Sequence, residues 1–228
     1  MTGVEPVPSL VTLHIWRIPR AKVPAALARM AVDRRRARRT EGVRFAKMLG
    51  TGEGFGVSSV EPTRWAKLAT WATPGPDPVA RSWSRLAVET LRVDLRPLAS
   101  TGRWSGREPF GSPPSGRYDG PVAALTRARL VPTRAATFWR AVPEVVTGLA
   151  QAPGLQLALA VGEAPVALQG TFSIWESARA LNAFAYEGHA HTRAIARTTE
   201  VGWYAEELFA RFAVLGTEGT LDGKALST

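Results

Sequence analysis

Two of the three histidines in the chain lie two residues apart, in the segment Gly188-His189-Ala190-His191. On a helix, side chains two positions apart point about 200° away from each other, so these two imidazoles cannot share one metal ion. His191 heads a row of small or apolar residues at helical spacing, namely Ala194, Ile195, Thr198 and Gly202. An inward imidazole beside small side chains suits a flat group such as a haem, whose iron a histidine can ligate. A hydrogen-bonded structural histidine is the simpler interpretation, and the spacing alone leaves both open.

Few other residues could ligate iron. The chain has no cysteine, which excludes a thiolate ligand, a disulfide framework and a zinc–thiolate site. His14 lies in a strand-like run, where an inward imidazole has less room for a macrocycle. Met30 and Met48 have the character of core residues, and His189 is expected to face solvent or to begin a helix.

Lys47 lies on an otherwise apolar strand face. Phe45, Lys47 and Leu49 alternate along the strand, and the corresponding positions of the second half are all apolar: Leu157, Leu159 and Val161. A partly buried lysine is costly unless it is paired, so Lys47 is a candidate for a catalytic role such as proton delivery, or for binding a carboxylate. A lysine at a strand edge that reaches water along its own stem is an equal alternative.

The chain repeats its own pattern. Gly42 and Gly50 recur as Gly154 and Gly162, 112 positions later, and the strand-like run at 9–18 recurs at 121–130 with the same offset. Trp71 and Trp175 are 104 positions apart, and the turns ending at Gly106 and Gly223 are 117 positions apart. The second half therefore gains thirteen residues after its third strand, in the region of His191.

Each half has the pattern β-α-β-β-α-β, which is the ferredoxin-like arrangement. A four-stranded sheet with helices on one face needs cover on its other face, and a second copy supplies it. We therefore predict an α+β fold in which two tandem ferredoxin-like half-domains form a fused dimeric α+β barrel. The expected boundaries are 1–106 and 121–228, and the Pro/Gly/Ser-rich stretch 107–120 is either a linker or an ordered loop over a pocket mouth.

The chain carries a formal net charge of +10, and five arginines lie within the seven positions 33–39. A solvated helix face is the commonest explanation of such a run; contact with an anionic lipid surface or an acidic protein is the alternative. No helix-turn-helix, zinc-finger or RNA-stacking pattern accompanies it, so we expect no nucleic-acid partner. The N-terminal residues lack the pattern of a signal peptide, and no apolar run has the length of a membrane span, which predicts a cytoplasmic location.

Several segments resemble the spheroidene monooxygenase family, the acyclic carotenoid ketolases. These are FAKMLGTGEGF, TGRWSGREPF, GPVAALTRARL, TFSIW and HTRAIARTTEVGWYAEELFARF, and they follow the family in collinear order over most of the chain. The most specific pattern is His-x-x-Ala-Ile, then Gly-Trp-(Tyr/Phe)-x-Glu-Glu-Leu, then Ala-Arg-Phe. It places the family histidine on His191.

The resemblance implies a haem b enzyme that uses O₂, with His191 as the proximal iron ligand. Its substrate is expected to be a long apolar, carotenoid-like molecule or another specialised metabolite. Arg193, Arg197 and Arg107 become candidates for binding the haem propionates, because guanidinium groups suit carboxylates. The resemblance leaves open an electron donor such as a ferredoxin, peripheral contact with a membrane, and a homodimer. Two alternatives remain: another haem reaction of the wider barrel group, peroxidase-like or aldoxime dehydratase-like, and a non-catalytic binding or scaffold protein.

Overall fold

The computed structural model describes residues 5–52, 60–114, 116–134, 149, 151–163, 170–187 and 203–226. The first half has the predicted order of elements. They are β1 (Leu10–Arg17), α1 (Val23–Arg39), β2 (Val43–Gly52), β3 (Val60–Trp71), α2 (Pro78–Ser84) and β4 (Glu89–Gly102).

The second half repeats the four strands. Its described elements are β5 (Val122–Leu130), β6 (Leu155–Gly162), β7 (Gly170–Trp175), α3 (Ala178–Asn182), which continues into a π-helical turn at Ala183–Glu187, and β8 (Tyr204–Gly219). Most of the helix expected between β5 and β6 lies outside the described residues. The predicted α+β class is confirmed. Among the described residues, no helix is long and apolar enough to cross a membrane.

The eight strands close into a barrel in the order β1-β3-β2-β6-β7-β5-β8-β4. Two antiparallel seams join the halves. The short seam pairs β2 with β6 around Gly50 and Gly162, and the long seam pairs β4 with β8 from Leu91–Gly219 to Gly102–Leu208. The short seam contains three residue pairs, from Gly50–Gly162 to Gly52–Ala160, so it joins only one end of each of these two strands.

Alternation along the strands separates two apolar regions. In β1, Val11, Leu13 and Ile15 belong to a core to which both halves contribute, whereas Trp16 packs on the opposite side, with residues of α1 and α2. The barrel interior is therefore filled by side chains, and helices cover the outside. Phe110, in the stretch predicted as linker or loop, is fully buried in the shared core against Phe212.

The geometry of the first half recurs in the second. Leu10 pairs with Trp71, and Val122 pairs with Trp175, so the two registers agree through the sequence offsets. The turn bridged by Trp104 and Arg107 recurs as the turn bridged by Leu221 and Lys224. Gly42 and Gly154 share a left-handed backbone, with φ of 76° and 77°. At Gly42 a Cβ would lie 2.1 Å from the Thr73 carbonyl oxygen, so only glycine fits there.

Each of these turns is held by the other half. The Glu206 carboxylate on β8 accepts hydrogen bonds from the Ser105 and Gly106 amides at 3.0 and 2.7 Å. Glu89 on β4 accepts from the Asp222 and Gly223 amides at the same two distances. We call these four hydrogen bonds the reciprocal clasp, because a glutamate of each half binds the turn of the other half. They stabilise the long seam at both ends.

Candidate functional site

Lys47 projects from β2 into a polar cluster at one end of the barrel. Its side chain is 14% exposed, and Nζ lies 2.5 Å from Glu163 Oε2 and 2.7 Å from Ser105 Oγ. The ammonium also lies 5.5 Å from the centre of the Phe45 ring and 5.7 Å from that of Trp104. The lysine is thus largely buried and paired, with aromatic rings around it.

Glu163 is the centre of this cluster. It follows β6 and accepts a hydrogen bond from Trp104 Nε1 at 2.5 Å, and Arg127 lies at 3.5 Å. Burial alone would raise the pKa of Glu163, but hydrogen bonds from Lys47 and Trp104 and the charges of Lys47 and Arg127 hold it below its usual value. Arg127 also pairs with Glu206.

The cluster therefore balances two cations, Lys47 and Arg127, with two carboxylates, Glu163 and Glu206. The Lys47–Glu163 ion pair also joins β2 to the residue that follows β6, across the short seam. The catalytic role of Lys47 stays a prediction. The sequence did not identify Glu163 as a site residue, because it lies 116 residues from its lysine partner. It follows a strand whose buried face could be predicted from alternation, but the strand that pairs with it across the seam could not.

Arg107 does not lie free at a pocket mouth. Its guanidinium binds both carboxylate oxygens of Glu5, at 2.9 and 2.8 Å, and donates to the Arg44 carbonyl oxygen at 2.9 Å. It ties the N-terminal stretch to β2. The other predicted haem-binding residues, His191, Arg193 and Arg197, lie outside the described residues, as does His189.

A second polar group, missed by sequence reasoning, lies between the first-half sheet and α2. Lys67 on β3 is fully buried and forms an ion pair with Asp77, whose Oδ1 caps α2 by accepting from the Ala80 amide at 2.9 Å. His14 Nε2 lies 4.0 Å from Asp77 Oδ2, and its ring stacks on Trp16 with a centroid separation of 5.7 Å. His14 and Asp77 line a cavity of about 520 Å³.

The sequence contained a signal for this polar group, because Lys67 lies among Trp65, Ala69 and Trp71 on one strand face.

Burial lowers the pKa of His14 to about 4; Asp77 opposes this shift, whereas Lys67 and Arg92 add to it. The unfolded chain, with a histidine pKa near 6.5, takes up this proton first as the pH falls, so stability is lost between about pH 6.5 and 4. We expect the free energy of unfolding to fall by about 3 kcal/mol more over this range in the wild type than in His14→Gln. Urea unfolding at stepped pH measures the difference, and parallel curves for the two proteins would contradict it.

The helix-facing surfaces of the two sheets differ in side-chain size. In the first half this surface carries Trp16, Met48 and Lys67. The matching positions of the second half, given by the repeated register, are Ala128, Ala160 and Thr171. We call the second surface the small-residue face; it consists of Ala124, Ala128, Ala158, Ala160, Thr171 and Ser173. At these three matching positions the second half thus carries smaller side chains than the first half.

Buried polar atoms without a hydrogen-bond partner among the described residues occur in both halves, and Thr70 Oγ1 is one in the first half. Arg211 on β8 donates from NH1 to Asn182 Oδ1 at 3.1 Å, at the C-terminal end of α3. Within the part of the chain that the structure describes, the buried Arg211 Nε has no hydrogen-bond partner, and neither does Gln156 Oε1. Such groups are costly unless something satisfies them. No three acidic, histidine or cysteine side chains among the described residues are placed to hold a metal ion.

Known proteins resemble the chain in sequence and in fold. It is 37% identical over 216 residues to spheroidene monooxygenase of Rhodobacter capsulatus, covering 90% of the chain and 89% of that protein. It is 39% identical over 193 residues to the Rubrivivax gelatinosus enzyme of the same name, covering 80% and 73%. No protein-family profile matches.

Two solved structures of aldoxime dehydratase share the fold. One has a TM-score of 0.55 at 12% identity and covers 92% of this chain and 84% of that chain. The other, in complex with butyraldoxime, has a TM-score of 0.53 at 12% identity and covers 90% and 79%. At this identity the similarity concerns the fold alone.

Proposed function

The chain belongs to the spheroidene monooxygenase family, and from that premise we propose that it is a haem-dependent monooxygenase that oxidises a long apolar, carotenoid-like substrate. Family membership makes the chain an oxidoreductase of the monooxygenase class. The alternative of a non-catalytic scaffold therefore loses its support. The haem and the substrate class are the parts of the proposal that need experiments.

We also infer that the two halves are tandem ferredoxin-like copies that form a fused barrel. Three observations support this: the equal strand registers, the paired turns with matching left-handed glycines, and the reciprocal clasp by Glu206 and Glu89. In this arrangement each copy has one helix-facing surface. Those two surfaces are the places where a flat cofactor could lie between sheet and helix.

The small-residue face is the observation that carries the haem proposal. A haem is flat and largely apolar, with carboxylates at one edge, so it needs a broad surface of small side chains together with cationic donors. The second half offers Ala128 and Ala160 where the first half has Trp16 and Met48, and Arg211 lies on the same side of the sheet because it pairs with Ala124. Among the described residues, its Nε has no hydrogen-bond partner. The residues present therefore fit the group, and Arg211 joins Arg193 and Arg197 as a propionate-binding candidate.

His191 is the proposed proximal ligand of the iron, on the family pattern that surrounds it. When bound, the haem would supply the iron at which O₂ is activated. The chain itself would hold the macrocycle against the small-residue face, exclude water with apolar side chains, and neutralise the propionates with arginines. The electrons that reduce O₂ would come from a separate donor such as a ferredoxin.

Titration of the purified full-length chain with haem tests the first part of the proposal. One equivalent should give a saturating Soret band. Incubation of the loaded protein with an acyclic carotenoid, a reductant and ¹⁸O₂ should then place labelled oxygen in the product. A chain that binds no haem would overturn the cofactor, and turnover with H₂O₂ or an aldoxime alone would point to a peroxidase-like or dehydratase-like reaction.

The small-residue face gives a specific prediction. Ala160→Met, which introduces the residue found at the matching position of the first half, should weaken haem binding by about 5- to 150-fold, because overpacking a filled site costs about 1–3 kcal/mol. Titration by absorbance measures the dissociation constant. Met48→Ala is the matched control: it should lower stability by about 2–5 kcal/mol and leave haem affinity unchanged. Equal affinities of Ala160→Met and wild type would place the haem elsewhere.

A further inference from the structure

The outward surface of α1 is unusual for a helix that covers a sheet. Its inner side packs on the first-half sheet through Ala26, Met30 and Ala37, and the buried Asp33 accepts a hydrogen bond from Trp83 Nε1 at 2.9 Å. The opposite side of such a helix normally carries polar and charged residues that interact with water.

Six exposed residues in the first turns of α1 are all apolar, and we call them the apolar strip: Pro24, Ala25, Leu27, Ala28, Ala31 and Val32. Leu27 and Val32 are 47% and 53% exposed. Arg29, the charged residue within this range, is half-buried and donates to the Ser82 carbonyl oxygen at 3.1 Å. The strip therefore presents a continuous apolar surface over about two and a half helical turns.

Exposed cations lie at both ends of the strip. Arg20 and Lys22 precede it, and Arg35, Arg36, Arg38 and Arg39 follow it. Between residues 20 and 40 the single acidic residue is Asp33, which is buried, so the charge of this surface is strongly positive. Arginines in the last turn of a helix also interact favourably with the negative end of the helix dipole. That interaction explains neither the cations before α1 nor the apolar strip.

We propose that the outward surface of α1 binds an anionic lipid bilayer, with the apolar strip in the headgroup region and the flanking cations on lipid phosphates. Helices that lie in a membrane interface combine an exposed apolar surface with Lys and Arg at the polar boundary. An acidic protein partner would account for the arginines, but it would leave six exposed apolar residues unexplained. This inference depends on α1 alone and stands whether or not the chain binds haem.

Vesicle sedimentation with the full-length chain tests the proposal. Vesicles that contain phosphatidylglycerol should bind the protein at least about tenfold more tightly than pure phosphatidylcholine, and added salt should weaken the difference. Replacing Arg35, Arg36, Arg38 and Arg39 together by glutamine should abolish this preference. Leu27→Ser with Val32→Ser should weaken binding to the anionic vesicles although the net charge is unchanged.

Matched control variants keep the test specific. Val88→Ser with Leu215→Ser removes two apolar side chains of similar exposure, 69% and 49%, elsewhere on the surface and should bind as the wild type does. Thermal melts of the two serine variants should coincide with that of the wild type, because each of their substituted side chains is exposed. The glutamine variant also loses the 3.5 Å contact between Arg36 and the buried Asp33, so its melt is measured as a separate control.

Three outcomes would overturn the proposal. The first is a wild-type chain that ignores anionic vesicles. The second is unchanged binding by the Leu27/Val32 variant, which would reduce the surface to a charge patch suited to an acidic protein. The third is concentration-dependent dimerisation in ultracentrifugation that this variant abolishes, which would assign the strip to a second copy of the chain.

Discussion

His191→Ala is expected to lower the haem affinity of the chain by at least about 100-fold and to remove the Soret band of a histidine-ligated haem. Residues that merely orient a metal ligand typically cost 10–100-fold when they are mutated, so loss of the ligand itself should cost at least as much. The chain has no cysteine that could take over the iron. Absorbance titration of the purified variant, and the Soret position at saturating haem, measure the effect.

His189→Ala is the matched control, because side chains two positions apart on the helix predicted from the sequence would point away from each other. It should bind haem with wild-type affinity. Imidazole added to His191→Ala should restore the band, since it replaces the missing ligand without the backbone. Loss of the band in the His189 variant, with a normal band in the His191 variant, would transfer the assignment to His189.

Asp77→Asn is expected to have the largest effect on stability, lowering the free energy of unfolding by about 3–5 kcal/mol. Lys67 is fully buried, and Asp77 is its ion-pair partner with an 11% exposed side chain. The substitution keeps an oxygen that can cap α2 and removes only the charge. Buried Lys67 then loses its counter-ion, and a buried charge without a counter-ion strongly lowers the free energy of unfolding. Urea unfolding at neutral pH measures the difference.

Lys67→Met added to Asp77→Asn separates the charge from the packing. A methionine fills a similar volume without a charge, and buried ion pairs replaced by apolar residues are often neutral or stabilising. The double variant should therefore recover most of the lost stability. If both variants are equally unstable, the cost of Asp77→Asn does not come from the isolated lysine.

Local pattern was enough to predict the strands and their order along the chain. Alternation marked β1 and β5, and the offsets between Gly42 and Gly154 and between Trp71 and Trp175 recur as equal registers in the structure. Each of these features occurs once in each half, so the strand assigned in one half supports the assignment of the corresponding strand in the other.

Contacts across the seams and between sheet and helix could not be predicted in the same way. Alternation showed that Lys47 shares a strand face with Phe45 and Leu49, but it does not identify the residue opposite. Glu163 becomes its partner only because β2 pairs with β6 when the barrel closes. The contact of His14 with Asp77 could not be predicted either, because it depends on how α2, which Asp77 caps, packs on the sheet.

The contrast between Trp16 and Met48 in one half and Ala128 and Ala160 in the other makes the two halves unequal in packing. Both halves share a single interior core, so dense packing anywhere in the barrel contributes to the stability of the whole. Replacing large buried side chains by small ones in one half lowers the free energy of unfolding. A protein tolerates such losses while its stability stays above the threshold needed for folding. Dense packing around Trp16 and Met48 can therefore offset the stability that the smaller side chains of the second half do not provide.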